Sequence, residues 1–372
     1  MSATNKRTAL IMAAGTGGHI YPGLAIAEAL VAKGWSIVWL ATPKGMENQL
    51  VGKAGYPIEV VPMQGVRSKG AAAWLLMPFR LVRALWVAAA IIRRNKPDVV
   101  ISMGGYVALP GGLMGVMMGK PLVVHEPGAH AGLTNRVLGL FATRTLVGFP
   151  KTFDQVPKNA LARMLPKPKR VDWLGTPVRA DIAAIAAPDA RLKDRTGPLR
   201  LLIVGGSLGA KTLNELVVAA LSAMDCTTRP EVVHQSGQAN FDELVRAYRA
   251  SNVDATVLPF IDDMAARLQW CDLMLCRSGA ITVAELAAAG VASILVPLPY
   301  FVAEEQEANA RFLADAGAGV MVTQLETTPQ ALAALLASFT REKLLAMAAA
   351  ARALGKPDAT VRCANTCMEL AA

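Results

Sequence analysis

A chain of 372 residues is long for one core and predicts two domains, each large enough to bury an interior. Its 53% hydrophobic content raises membrane insertion, but the most apolar stretch, Trp74 to Ile92, is broken by Pro78, Arg80 and Arg83, where a spanning helix wants about 20 apolar residues. The net charge of +10 is lopsided: residues 1–180 hold 22 Lys and Arg against 7 Asp and Glu, so this half is expected to face an anionic partner. No aromatic RNA-binding motif, helix-turn-helix pattern or finger accompanies the charge, which argues against nucleic acid and for an anionic membrane surface. Met1 to Arg7 is polar and leads straight into a strand, unlike a signal peptide, so a cytoplasmic location is expected. The cysteines, at 226, 271, 276, 363 and 367, form no CxxC pair; free thiols, with neither disulfides nor zinc, are expected.

In chain order, apolar runs mark strands at Leu10 to Ala13, Ser36 to Ala41, Ile58 to Val61, Val99 to Ser102, Leu122 to His125 and Thr145 to Val147, with helical patterns between them. This β-α repetition predicts a parallel sheet covered on both faces. A basic, proline-spotted segment, Pro157 to Arg170, precedes Trp173-Leu174-Gly175-Thr176-Pro177-Val178-Arg179, whose Gly-Thr-Pro turn reads as a linker. The pattern then restarts with a strand at Arg200 to Val204, the loop Gly205 to Ala210 and a helix to about Met224. Further strands are expected at Val232 to His234, Thr256 to Leu258, Leu273 to Cys276 and Ser293 to Val296. Two Rossmann-like halves would place a cleft between them, with ligands at the carboxyl ends of the strands.

Four stretches carry candidate chemistry, each with a plain structural alternative. Ala13-Ala14-Gly15-Thr16-Gly17-Gly18-His19 fits neither GxGxxG nor a P-loop. It is either a tight turn or a loop whose N–H groups approach a ligand, aided by the helix following Pro22, with His19 placed to take a proton. Gly205 to Ala210 is a turn or a diphosphate seat with the Ser207 hydroxyl, and Arg179 could neutralise the same anion. Arg277-Ser278-Gly279-Ala280-Ile281-Thr282-Val283-Ala284-Glu285 is an N-capped helix, or a loop against phosphate with Glu285 accepting from ribose hydroxyls. Arg67 to Lys96 sets Trp74, Leu75, Leu76, Met77, Phe79, Leu81, Val82, Leu85 and Trp86 among cations that include Arg80 and Arg83: a core helix, or a surface that rests on lipid.

Taken together, Gly15 to His19, Met103-Gly104-Gly105-Tyr106, His125-Glu126 with Ala131 to Asn135, Gly205 to Ala210, Phe260-Ile261-Asp262-Asp263-Met264, Cys276 to Ala280 and Gln306 to Asn309 occur in the order seen in the MurG family. These are the bacterial N-acetylglucosaminyltransferases that make lipid II, and the resemblance spans essentially the whole chain. It implies a GT-B α/β fold: an acceptor- and membrane-facing domain over 1–178, joined by 357–372, and a UDP-sugar domain over 179–356. It implies UDP-N-acetylglucosamine as donor and lipid I, the polyprenyl-linked muramyl pentapeptide, as acceptor. Transfer would invert configuration without metal or cofactor, at the cytoplasmic face of the inner membrane, beside other cell-wall synthesis proteins. Carried over by motif, Thr16, Gly17, Gly18, Arg179, Ser207, Ile261, Ala280, Ile281, Thr282, Val283, Ala284, Glu285 and Gln306 would bind donor. Ile261 would meet the uracil, Glu285 the ribose and Gln306 a sugar hydroxyl, while His19 resembles the base. Tyr106, Glu126, Asn135 and Asn309 would add sugar or acceptor contacts, and Trp74, Leu75, Phe79, Arg80 and Arg83 would touch the membrane.

Three departures surround the transferred sugar. Pro127-Gly128 stands where the family usually has Gln-Asn, leaving His130 and Asn135 as candidates to replace the amide. Glu305 precedes Gln306 where a His is common, with Glu304 and Tyr300 nearby, and the linker reads Gly-Thr-Pro rather than Gly-Asn-Pro. The same residues would also suit a UDP-sugar transferase or epimerase with another acceptor, or an inactive membrane scaffold.

Overall fold

The computed structural model describes residues 6–15, 17–63, 77–157, 160–206, 210–299 and 303–371; Thr16, Trp74, Leu75, Leu76, Ser207 and Tyr300 lie outside them. The chain divides into two compact units, Met1–Arg179 with Asp358–Ala372, and Ala180–Pro357.

In the first unit the strands are β1 (Thr8–Ala13), β2 (Ser36–Ala41), β3 (Ile58–Val60), β4 (Val99–Gly104), β5 (Leu122–Glu126), β6 (Arg144–Val147) and β7 (Val171–Trp173), parallel throughout, in the order β3-β2-β1-β4-β5-β6-β7. Strand β1 shows why its run is apolar on both faces. Ala9, Ile11 and Ala13 enter one core with Trp39 and Ile101, and Leu10 and Met12 enter the opposite core with Leu40 and Leu122. Helix α1 (Gly17–Val31) and the C-terminal helix Ala359–Leu370 cover the first face, where Cys363 and Cys367 are buried. Helices Met77–Asn95, Ala108–Met117 and Leu133–Gly139 cover the second, side by side.

The second unit repeats the plan with β8 (Arg200–Val204), β9 (Glu231–Gln235), β10 (Thr256–Leu258), β11 (Leu273–Cys276), β12 (Ala292–Leu295) and β13 (Gly319–Met321), in the order β10-β9-β8-β11-β12-β13, again all parallel. Each sheet is thus the doubly wound α/β arrangement expected from the β-α repetition.

In three places the structure corrects or adds to the sequence reading. Helix α1 begins at Gly17, so Pro22 lies inside it rather than before it; that close to a helix start, proline removes only one intrahelical hydrogen bond. The Gly-Thr-Pro turn read as a linker lies at the end of the first unit, just before Ala180 begins the second, and is packed there with Leu174, Thr176 and Val178 buried; before it Val171–Trp173, not expected as a strand, pairs with β6 as an exposed edge. Strand β13, three residues long on the short run Gly319-Val320-Met321, is not among the expected strands. Among the described residues no helix is long and apolar enough to cross a membrane. The five cysteines are free, with Cys226 exposed and the others buried.

Candidate active site

In each sheet the strand order reverses between two neighbours, β1 and β4 in one and β8 and β11 in the other, and loops at the carboxyl ends there diverge to leave room for ligands. All four glycine-rich motifs of the sequence leave these strand ends.

In the first unit, Gly15 follows β1 and Gly104-Gly105 end β4, with φ of +104°, +108° and +83°, values that favour glycine. The two loops touch: a Cβ on Gly105 would stand 2.5 Å from the Ala14 carbonyl oxygen. Because α1 starts at Gly17, His19 belongs to its first turn, below Gly104, where a Cβ would stand 2.7 Å from the imidazole Cδ2 and 2.8 Å from Nε2. His19 is half-buried, and its Nδ1 is enclosed with no hydrogen-bond partner among the described residues. Desolvation lowers its pKa to about 4, so the ring is neutral near pH 7 and carries a lone pair able to accept a proton. Gly17 and Gly18 open the helix, where backbone N–H groups have no intrahelical acceptor. Tyr106, next after Gly105, is exposed.

Sequence reasoning missed Glu47. It is fully buried, and its carboxylate accepts from the Thr42 N–H at 3.0 Å, the Thr42 hydroxyl at 2.6 Å and the Gly15 N–H at 3.4 Å. Gly45 makes room for it, since a Cβ there would overlap the carboxylate. This side chain fixes the Gly15 turn against the end of β2. Its one sequence signal is an acid in a basic half, a few residues past a strand end.

The end of β5 is held by a second buried network. Asn135 accepts from the Ser102 hydroxyl at 3.0 Å and donates to the His125 carbonyl at 3.1 Å and to Glu126 at 3.0 Å. Glu126 also accepts from the N–H groups of Gly128 and Gly132, at 3.2 and 3.0 Å. Both amide protons of Asn135 are therefore committed, and a sugar could recruit this amide only by displacing protein acceptors. His125 is fully buried, with Nε2 3.1 Å from the Gly175 carbonyl, and burial lowers its pKa to about 4. Thr176 donates its hydroxyl to the Pro127 carbonyl at 3.1 Å. Two of the departures seen in the sequence, Pro127-Gly128 and the Gly-Thr-Pro turn, are thus one packing unit.

In the second unit, Gly205-Gly206 follow β8 and Ala210 caps the helix Lys211–Ala223. The turn is tight, since a Cβ on Gly205 would lie 2.8 Å from that of Ala210, and Gly206 has φ +97°. Its frame comes from β9. Gln235 donates to the Gly206 carbonyl at 3.1 Å, Asn214 donates to the Ser236 carbonyl at 3.1 Å, and buried His234 links Asn214 at 3.1 Å to the Tyr248 hydroxyl at 2.8 Å.

After β11, Gly279 precedes the helix Ala280–Ala289, whose first residues, Ala280, Ile281 and Thr282, have N–H groups with no intrahelical acceptor, one turn before half-buried Glu285, while the Val283 N–H donates to the Gly279 carbonyl at 3.0 Å. Ala284 is half-buried beside it. Ser278 is fully buried and its hydroxyl has no partner among the described residues. Buried Asn309 donates to the Ser278 carbonyl at 3.1 Å, tying the loop to the helix Ala303–Ala314. On that helix the Gln306 carbonyl oxygen accepts from the Leu298 N–H at 3.0 Å, which fixes the amide's orientation and leaves the NH2 as its donor end. Ile261 is buried and Arg179 half-buried. No group of three metal-ligating side chains occurs among the described residues.

Residues 9–147 match the glycosyltransferase family 28 N-terminal domain and residues 200–363 its C-terminal domain. Two similar relatives are both named UDP-N-acetylglucosamine--N-acetylmuramyl-(pentapeptide) pyrophosphoryl-undecaprenol N-acetylglucosamine transferase. One, from Ralstonia nicotianae, is 48% identical over 100% of this chain and 98% of its own. The other, from Aromatoleum aromaticum, is 50% identical over 98% of each. The crystal structure of Acinetobacter baumannii MurG superposes with a TM-score of 0.82 at 38% identity, over 98% of this chain and 99% of that one. With both domain models matched and relatives near half identical from end to end, the chain belongs to the MurG family of family 28 glycosyltransferases.

Proposed function

We propose that the chain transfers N-acetylglucosamine from UDP-N-acetylglucosamine to the muramyl 4-hydroxyl of lipid I, producing lipid II for peptidoglycan. The observation that carries this reading is full-length identity of 48% to a relative with that transferase name. His19 acts as base: the neutral imidazole takes the hydroxyl proton as the oxygen attacks the anomeric carbon, opposite the departing UDP, and configuration inverts.

The leaving diphosphate gains negative charge, which the helix N-terminus at Lys211, with Arg179 and Ser207, would meet. Thr16, Gly17, Gly18, Ile261, the Ala280 to Glu285 turn and the Gln306 NH2 complete the donor set. Glu126, Asn135 and Asn309 serve by holding their loops, as their internal hydrogen bonds favour. UDP release, measured with and without a lipid I analogue, tests the reading. Wild type should release UDP only with acceptor, and His19→Ala should lose about 100-fold or more in rate while still binding donor. Acceptor-independent turnover would favour an epimerase-like activity instead.

The membrane contact is proposed for the helix Met77–Asn95. Its Ala84, Ala88, Ile91 and Ile92 face the core, whereas Phe79, Val82 and Trp86, at 75%, 54% and 72% exposure, form a stripe at helical spacing with Arg80 and Arg83 exposed beside them. Leu81 and Leu85, counted with the outer surface in the sequence, are half-buried. A peripheral position on the cytoplasmic membrane surface, where the acceptor's lipid is anchored, follows from this reading.

A further inference from the structure

The crossover from β6 to β7 is built unlike its neighbours. Its helix, Ala160–Met164, inserts Ala162 but leaves Leu161 and Met164 57% and 81% exposed, and Val156 before it is 75% exposed. Among the described residues of this segment, exposed Lys151, Arg163, Lys167, Lys169 and Arg170 stand against one acid, Asp154, a net of +4. Asp154 is spent on Lys167, at 2.6 Å.

Right-handed crossovers put this segment on the sheet face that carries Ala108–Met117 and Leu133–Gly139. Contacts agree: Arg136 donates to the Gln155 carbonyl at 2.9 Å, and a Cβ on Gly139 would lie 2.7 Å from Pro168. The helices of that face run side by side back to Met77–Asn95, and Met117, which ends the second of them, and Phe141, just after the third, are exposed.

We propose that residues 151–157 and 160–170 are a second contact with the anionic phospholipid bilayer, continuing the surface begun by Phe79, Val82 and Trp86. The inference rests on the membrane reading above. Apolar side chains singly exposed need no partner, but long apolar side chains set among exposed cations in excess over acids have the chemistry of an anionic lipid interface, where the side chains enter the acyl boundary and the cations stay with the phosphates.

The test places a polarity-sensitive fluorophore at Met164→Cys in a Cys226→Ser background, the other four cysteines being buried. Vesicles of phosphatidylglycerol and phosphatidylethanolamine are compared with phosphatidylcholine alone. The expected result is a blue-shifted emission on the anionic vesicles. With Lys169→Gln/Arg170→Gln, vesicle affinity should fall roughly tenfold or more, while UDP binding and transfer to a soluble acceptor analogue stay unchanged. Water-like emission on bound protein, or unchanged affinity of the double variant, overturns this second contact alone. Failure of the wild type to bind any vesicle overturns the parent reading with it.

Discussion

Gly104 is the residue on which the imidazole's position depends. With φ at +108° and His19 directly against it, Gly104→Ala adds backbone strain and pushes the ring from its place. Turnover should fall about tenfold or more with donor KM little changed, as read by steady-state kinetics at saturating acceptor; an undiminished kcat would remove His19 from the chemistry. Glu47→Ala leaves the Thr42 and Gly15 donors without an acceptor in a buried place, and should cost about 1–3 kcal/mol in urea unfolding. His19 was legible because a titratable side chain beside a glycine loop stands out in one dimension. Glu47 was not, because nothing in its neighbours tells that the fold encloses it.

Strands of continuous apolar residues were legible, since a parallel sheet buried on both faces demands such runs and β1, β8 and β11 supply them. Edge elements escaped for the opposite reason. Strand β7 is exposed at all three positions and exists because β6 offers it a free edge. The frame of the Gly206 turn is likewise supplied by β9, 29 residues further on. Gln235→Leu removes one hydrogen bond worth about 1 kcal/mol, so the KM for UDP-N-acetylglucosamine should rise roughly fivefold with little change in kcat. An unaltered KM would mean that the turn needs no help from β9.

For the molecule as a whole, burial of histidines sets a pH limit. His125 and His234, one in each unit, are fully buried with pKa values lowered from 6.5 to about 4 and about 3 by desolvation. The unfolded chain takes up their protons near pH 6.5 and the folded chain only well below it, so their stabilising effect is complete above 6.5 and is lost as pH falls toward 4. Between those limits each should remove about 1.4 kcal/mol per pH unit. Thermal unfolding from pH 8 to 4.5 should show Tm falling in both units, whereas a flat Tm down to pH 5 would contradict it. At neutral pH, full transferase activity in excess chelator is expected, because helix N-termini and Arg179 would hold the diphosphate. Replacing Phe79 and Trp86 with Ser should weaken binding to anionic vesicles without altering UDP binding; unchanged vesicle binding would sink the lipid surface.

What the sequence by itself determined was the repeat of buried strands and the glycine loops that end them, because hydrophobic periodicity and backbone permissiveness are local properties written residue by residue. The long motifs in family order carried the assignment for the same reason. The tertiary structure decided which groups lose their water. It enclosed the His19 Nδ1 and Glu47, joined Thr176 to Pro127 and Gln235 to Gly206, added the edge strand Val171–Trp173, and left Leu161 and Met164 outside. Burial and hydrogen-bond pairing between distant segments arise from the packed chain, and no short window of residues contains them.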